Sequence, residues 1–406
     1  MTVVVQKYGG SSVADAGSIK DVARRIVARK ETGVRIVVVV SAMGDTTDEL
    51  VELARRITAS PSVREMDVLL STGEIVSSTL LAMALREAGH AAISLSGAQA
   101  GIRTDGFHSK ARILKVETKR IKKEIEQGNI VIVAGFQGIT EEMDITTLGR
   151  GGSDTTAVAL AASMGAEVCE IYTDVDGVYA ADPRLVPGAH RLTEIGYEEM
   201  LEMATYGTKI LHPRAVELGE LYNMPILVAS SFNDYPGTLI HGGVDMEVRN
   251  KVRNLAYDLN VAKLTVVGVP DQPGIAAAIF GPLAEAGISV DTIVQNASIN
   301  KVTDLTFTVV RDDLNRALEV VRPICQQIGA RELSGDDRLG KVSVIGTGML
   351  NTPGYAARMF KTLSDRGINI ELITTSEIRI TCIISQDKVD EAVKALHQAY
   401  ELEIEN

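Results

Sequence analysis

The chain contains no tryptophan, and aromatic residues make up 4% of its 406 positions. Its cores must then be built from Val, Ile, Leu and Ala. Cysteine is scarce too: Cys169, Cys325 and Cys382 stand far apart, with no CxxC spacing and no histidine motif beside them. That points away from a disulfide framework and from zinc, and it fits a reducing compartment. Positive charge is in deficit, with a formal net charge of −12. Nucleic acid is therefore not expected as a partner, because its binding rests on Lys and Arg neutralising phosphates; a nucleotide needs only one local cationic site. The amino terminus lacks the basic stretch and long apolar core of a signal peptide, and charges or glycines interrupt every apolar run. No membrane partner is expected, and the expected location is cytoplasmic, where the pattern Asn296-Ala297-Ser298 would not be glycosylated. Two phosphate-binding motifs are also missing. There is no GxxxxGK[ST], and no GxGxxG follows a strand, which excludes P-loop chemistry.

What the chain does have is 45% hydrophobic residues against 23% charged, the reverse of a disordered composition, and a length that favours two or three domains. Predominantly apolar runs at 2–6, 36–40, 91–95, 130–134 and 168–172 have the length of strands buried on both faces. Between them, residues 18–30, 47–58, 75–87 and 155–164 carry apolar positions at helical spacing. Alternation of this kind predicts an α/β fold with a doubly wound, mostly parallel sheet covered by helices.

Near residue 240 the character changes. Gly242-Gly243 and the charged stretch 245–253 have the composition of a linker, and an internal repeat follows it. Lys263-Leu-Thr-Val-Val-Gly268 resembles Lys341-Val-Ser-Val-Ile-Gly346, and Pro273-Gly274, Phe280, Leu283 and Gly287-Ile288 recur as Pro353-Gly354, Phe360, Leu363 and Gly367-Ile368. Each copy reads strand, helix, strand, strand, helix, and residues 330–333 add a last strand to the first. The second copy runs out of chain, so residues 254–258 are expected to pair there. The domains predicted are 1–245, 263–335 and 341–406, the last completed by 254–258.

The residues that carry chemistry begin at Lys7-Tyr8-Gly9-Gly10-Ser11-Ser12, where a strand breaks into a glycine turn. Glycines let a backbone approach an anion, and a lysine at the strand end adds a full charge. A second glycine-dense turn, Gly149-Arg150-Gly151-Gly152-Ser153-Asp154, feeds a helix, and helix starts favour anions while arginine grips carboxylates with two bonds. Taken singly, several of these residues have plainer explanations. Ser153 or Asp154 reads as a helix cap with Arg150 solvated, Glu74 as a favourable charge just before helix 75–87, and Asp174 and Asp176 as turn formers beside Gly177.

The lysine-first cradle and the Gly-Arg-Gly-Gly-Ser-Asp turn together resemble the amino acid kinase family, and within it the aspartokinases, over essentially the full length. Val40-Ser41-Ala42-Met43-Gly44 with Thr46-Thr47, Ser71-Thr72-Gly73-Glu74, Gly135-Phe136-Gln137-Gly138, Tyr172-Thr173-Asp174, Asp182-Pro183-Arg184 and Gly207-Thr208-Lys209-Ile210-Leu211-His212-Pro213 follow in family order. The repeat is similar to tandem ACT domains, ferredoxin-like βαββαβ modules that bind amino acids.

That resemblance implies phosphoryl transfer from ATP, with Mg2+ held mainly through the nucleotide, to the side-chain carboxylate of L-aspartate. The product would be 4-phospho-L-aspartate, the first step of the branch leading to lysine, threonine and methionine. A carboxylate is already ionised near neutral pH, so no general base is needed and catalysis rests on positioning and charge neutralisation. The catalytic set implied is Lys7, Gly9, Gly10, Asp154 and Lys209, with the two glycines donating N–H groups. Asp154 would orient the ammonium or hold magnesium through water. Ser41, Thr47, Glu74, Phe136, Arg150 and Ser153 would hold aspartate, Glu74 its ammonium and Arg150 its α-carboxylate. Lys7, Gly10, Ser11, Thr173, Asp174, Tyr179, Arg184 and Lys209 would meet ATP. His212 matches the family motif and is assigned no chemistry. Lysine, threonine or both are the effectors implied, with candidate contacts at Asp271, Gly274, Ala276 and Gln295 in the first module and Asn369, Ile370, Thr375 and Ser376 in the second. ACT pairing implies a homodimer, or an α2β2 assembly if a shorter subunit starts internally near Met246. Two alternatives stay open: a relative that phosphorylates glutamate, acetylglutamate or a nucleoside monophosphate, and a non-catalytic amino-acid sensor.

Overall fold

Short runs of Val and Ile with no polar face are stable only in the middle of a sheet covered on both sides. A computed structural model describes residues 2–207, 210–243, 252–296, 301–349 and 352–403. The chain divides into two units, one made of Met1–Tyr179, Arg191–Thr205 and Lys209–Asp245, the other of Ala180–His190, Tyr206–Thr208 and Met246–Asn406.

In chain order the first region contains β1 (Val3–Tyr8), α1 (Ala16–Glu31), β2 (Arg35–Val40), α2 (Thr46–Ile57), α3 (Val63–Glu87), β3 (Ala92–Leu95), β4 (Ile102–Thr104), β5 (Ile113–Val116), α4 (Lys119–Glu126) and β6 (Ile130–Ala134). Then come β7 (Gln137–Ile139), β8 (Ile145–Thr147), α5 (Gly152–Met164), β9 (Val168–Thr173), β10 (Glu194–Gly196), α6 (Tyr197–Tyr206), α7 (Pro213–Leu221), β11 (Ile226–Ser230) and β12 (Thr238–His241). Eight strands form one sheet in the order β10-β12-β11-β9-β1-β2-β6-β3. Every neighbouring pair is parallel except β11 with β12. From β1 the chain moves to β2 on one side and later returns to β9 on the other. The connections thus part between β1 and β9, and ligands of open α/β sheets bind beyond the strand ends at such a point.

On one face of the sheet, Ile19, Val22 and Ile26 of α1 and Leu81 and Leu85 of α3 bury themselves against Tyr8, Val38, Val40 and Ile132. α5, apolar or small all round beyond its first turn, is buried along Gly152–Ala161 and packs on β1 and β2. α3 is longer than the expected helix 75–87. By length and composition it could cross a membrane, with mean hydropathy 1.6 over 18 residues, yet it buries Asp67 and Glu74 among the elements of this unit. A four-stranded sheet in the order β5-β4-β7-β8, absent from the sequence expectation, stands beside α3.

The second region holds β13 (Asn254–Pro270), α8 (Ile275–Glu285), β14 (Ile293–Gln295), β15 (Val302–Val309), α9 (Leu314–Ile328), β16 (Glu332–Ile345), α10 (Tyr355–Asp365), β17 (Leu372–Thr375), β18 (Arg379–Ser385) and α11 (Val389–Ala399). Its six strands form one sheet, β14-β15-β13-β16-β18-β17, with all pairs antiparallel. The two repeats are fused through their longest strands. Residues Asn254 to Asp258 of β13 pair with Ile345 to Lys341, and Lys263 to Val267 pair with Asp336 to Glu332. The segment ahead of the first repeat thus pairs with the second, and β16 serves as the last strand of one repeat and the first of the other. Leu264, Val266, Ile279, Leu283, Phe307 and Val321 centre one core. Val342, Val344, Met359, Leu363, Cys382 and Leu396 are buried in the other repeat.

Candidate active site

Parallel strands all finish at one end of their sheet, and here four of them deliver residues singled out from the sequence. Lys7 is the penultimate residue of β1, Ser41 follows β2, Gly135-Phe136 follow β6, and Thr173 ends β9. Lys7 is 9% exposed, and its Nζ lies 2.6 Å from Asp154 Oδ1 on α5. The contact is ionic, without hydrogen-bond alignment. Each charge lowers the cost of burying the other, and both stay close to the turn that bears Arg150.

The two cradle glycines do different things. Gly9 donates its N–H to Tyr172 O at 3.2 Å, so the expectation that it donates to phosphate is corrected: sheet closure at the β1/β9 junction uses that proton. Its contribution is space, since a Cβ there would lie 3.6 Å from Lys7 Nζ. Gly10 opens a 3-10 turn, Gly10–Val13, where helical geometry supplies no acceptor for the first N–H groups. A Cβ on Gly10 would stand 3.0 Å from Ala42 O, so the two loops approach this closely only with glycine at that position. Ser11 is exposed in the same turn.

Glu74 is not at a helix start. It lies in the middle of α3, 3% exposed, which removes the helix-charge explanation. Its Oε1 accepts from Ala42 N–H at 3.1 Å, in the loop after β2, and its Oε2 is buried with no partner. Burial pushes its pKa up to about 8, against a smaller pull downward from backbone hydrogen bonds. A carboxylate with one oxygen held and one free is prepared for an incoming cation. Nearby, Ser77 Oγ donates to Ser41 O at 2.7 Å, and Thr47 sits in the first turn of α2.

The Arg150 turn is shaped from several sides. Gly151 has φ +67°, and the His212 ring occupies the space its Cβ would take. Ser153 and Asp154 lie inside the first turn of α5, and no side chain caps that helix, so the capping explanation for them fails as well. Gly152 N–H already donates to Gly149 O at 2.9 Å, so it is the N–H groups of Ser153 and Asp154 that the start of the helix leaves for a ligand. Phe136 holds φ +68°, uncommon for a bulky residue, and accepts at its carbonyl from Leu148 N–H at 2.8 Å. A Cβ on Gly135 would lie 2.8 Å from Ser153 Oγ, which shows how tightly the end of β6 meets α5. Burial is the main cause lowering the His212 pKa, with Asp154 opposing and Arg214 and Arg150 assisting, so its ring is neutral.

Thr173 Oγ1 lies 3.1 Å from the exposed Asp174 carboxylate, and Tyr179 bridges to Arg191. Arg184 belongs to the other unit and grips Asp182, with Nη2 2.7 Å from Oδ2. Lys209 and Met246 lie outside the described residues. The eight effector candidates are all in the second unit but not together: Gln295 is on β14 and Thr375 on β17, opposite edges of the six-stranded sheet. Asp67, His108 and Arg214, which brace the Arg150 turn, were not singled out from the sequence; the one signal was a charge inside the apolar run that became α3.

Residues 2–230 match the model of the amino acid kinase family, and residues 263–327 and 342–400 each match a model of ACT domains. The chain is 51% identical to an aspartokinase of Mycolicibacterium smegmatis, covering 99% of this chain and 97% of that protein. It is 50% identical to an aspartokinase of Corynebacterium glutamicum, with the same coverage. Among solved structures, E. coli aspartokinase III in complex with aspartate and ADP is 27% identical with a TM-score of 0.83, over 98% of this chain and 99% of that one. The same enzyme in complex with lysine and aspartate gives a TM-score of 0.76 at 27% identity, over 98% and 99%. With this likeness running end to end, through a kinase domain and two ACT domains, the chain belongs to the aspartokinases of the amino acid kinase family.

Proposed function

We propose that this aspartate kinase transfers the terminal phosphoryl group of MgATP to the side-chain carboxylate of L-aspartate, giving 4-phospho-L-aspartate and ADP, and that its ACT domains make it subject to feedback by lysine, threonine or both. The observation that carries the substrate assignment is Glu74, a buried carboxylate with one unpartnered oxygen. An amino acid's ammonium satisfies it; acetylglutamate and nucleoside monophosphates have no such group. Arg150 then takes the α-carboxylate with two parallel bonds, and Ser41, Thr47, Phe136 and Ser153 close the pocket.

The residues present also fit a triphosphate. The Lys7 ammonium, the Gly10 and Ser11 N–H groups and the uncapped start of α5 form an electropositive cradle at the end of a parallel sheet. ATP supplies the transferable phosphoryl group, with Mg2+ carried on its phosphate oxygens and Asp154 the carboxylate available to meet the ion through water. Lys7 neutralises charge on the transferring group, and its pairing with Asp154 holds the ammonium in place beforehand. Lys209 is assigned a second phosphate contact from its family motif, with Thr173, Asp174 and Tyr179 toward the nucleoside. Arg184, held by Asp182 through Nε and Nη2, is assigned an ATP contact from its family motif alone. The substrate carboxylate attacks without a general base, so orientation supplies most of the acceleration.

Regulation is assigned to Asp271, Gly274, Ala276 and Gln295 of one chain together with Asn369, Ile370, Thr375 and Ser376 of a second. The position of Gln295 and Thr375 on opposite edges of the sheet supports a site completed by self-association, as a homodimer or with a shorter subunit begun near Met246. The E. coli relative's complex with lysine supports an amino-acid effector. The reaction fits a cytoplasmic location and the start of the lysine, threonine and methionine branch. ADP release with MgATP and aspartate, glutamate or acetylglutamate tests the proposal, repeated with lysine and threonine singly and together. Turnover on aspartate alone is the expected result, and turnover on acetylglutamate overturns the role of Glu74.

A further inference from the structure

Arg150 stands in a turn between β8 and α5, where neither a strand ladder nor a helix fixes it. Something else must hold residues 147–151 if a guanidinium there is to meet a carboxylate in one geometry. Two charged side chains outside the site do so.

Asp67, on the second turn of α3, has no exposed surface. Its Oδ1 accepts from Thr147 Oγ1–H at 2.6 Å and its Oδ2 from His108 Nδ1–H at 2.7 Å, while Ser109 N–H reaches both oxygens at 3.1 and 3.0 Å. All these donors lie on two segments, 108–109 and the end of β8. Those segments are tied directly as well: Ala111 N–H donates to Thr147 O at 2.9 Å. A Cβ on Gly149 would stand 2.9 Å from Ser109 O, so the backbone next to Arg150 rests on the segment Asp67 anchors. From the other side, Arg214 in the first turn of α7 donates to Leu148 O at 2.7 Å and to Ala111 O at 3.0 Å. Burying a carboxylate is costly unless its lone pairs are met, and here every donor that meets them belongs to the support of this one turn.

We propose that Asp67 and Arg214 are positioning residues for the amino-acid substrate, clasping residues 147–149 so that Arg150 is presented to the α-carboxylate; this rests on the role given to Arg150 above. Neither residue touches substrate. Their removal is felt through Arg150, and therefore in aspartate binding rather than in ATP binding.

Asp67→Asn keeps the shape of the side chain but replaces one of its two accepting oxygens with an N–H₂, so the donors share a single neutral acceptor. Arg214→Lys retains one carbonyl contact, and Arg214→Ala retains none. The measurement is KM for aspartate, KM for ATP and kcat for each variant, alone and combined with Arg150→Ala. Asp67→Asn should raise KM for aspartate about tenfold or more, the scale of a lost hydrogen bond to a charged group, and leave KM for ATP within about twofold. Arg214→Ala should do the same, with Arg214→Lys recovering part of the loss. In the Arg150→Ala background Asp67→Asn should add almost nothing to KM. If Arg150→Ala itself leaves KM for aspartate unchanged, the role of Arg150 falls. If Arg150→Ala raises it while Asp67→Asn and Arg214→Ala do not, or if they raise both KM values alike or add in full to Arg150→Ala, the positioning proposal alone is overturned. Thr147→Val, which deletes one donor and spares the charge, gives the same test should Asp67→Asn not fold.

Discussion

In the kinase unit, Lys7, Ser41, Phe136 and Thr173 come from four separate stretches of chain yet stand at one end of one sheet, because parallel strands all finish there. In the ACT unit, Gln295 and Thr375 come from equivalent strands of two repeats yet sit at opposite edges, because fusion through β13 and β16 placed those strands outermost. Parallel topology gathers residues within a chain. The fused antiparallel sheet disperses them to its two edges.

The largest effect expected from this contrast concerns Lys7. Lys7→Ala should lower kcat a hundredfold to a thousandfold, about the loss when one charge-stabilising donor is removed, without altering effector binding measured by calorimetry. Loss of effector binding in that variant would break the separation of the two units' roles. Next come the sheet edges, which carry the exposed apolar residues Ile293 and Ile373. Replacing both with lysine should weaken self-association in sedimentation and reduce inhibition at least several-fold, with uninhibited kcat little changed. Full inhibition in a monomeric double variant would place the whole effector site in one chain.

A third test uses the buried acid. With its pKa raised to about 8, Glu74 is protonated in the free enzyme at neutral pH and must ionise to hold an ammonium. KM for aspartate should therefore fall as pH rises, by up to about tenfold per unit, and level off above about pH 8. Glu74→Gln should abolish that dependence and raise KM. In the free enzyme the sign for stability is opposite. A raised pKa contributes stability fully below the ordinary carboxylate range and loses it as pH rises through about 8, so Glu74→Gln should raise the unfolding midpoint most above that pH. A lowered midpoint would show that the unpartnered oxygen is no burden to the fold.

The smallest effect concerns one of the unpartnered buried groups of the ACT unit. Asn254 is fully buried with neither amide atom satisfied, and no catalytic role competes for it. Asn254→Leu should stabilise by about 1 kcal/mol in denaturant titration and leave kcat unchanged. Destabilisation would mean that the Asn254 amide is held by a partner after all.

Which features were legible in the sequence follows from the range of their interactions. Residues 36–40 and 130–134 announced themselves because a strand buried on both faces leaves few polar positions. The glycine turns were visible because close approach to an anion leaves few other residues available. The small sheet of β4, β5, β7 and β8 was not visible, since strands of three or four residues carry too little alternation to recognise. The start of α3 was missed because Asp67, Ser71, Thr72 and Gly73 read as interruptions, whereas in the fold Asp67 is paid for by partners 41 to 80 residues away. Gly9 shows the limit in reverse: its place in the motif was plain, but its proton goes to Tyr172, on the neighbouring strand yet more than 160 residues away in the chain.

The two longest strands have a further consequence. Because β13 and β16 each run through both repeats, a cut or crossover inside either would leave both halves without a complete ladder. The repeats should therefore be exchanged between genes only as a pair, and their amide protons should open to solvent in one shared event.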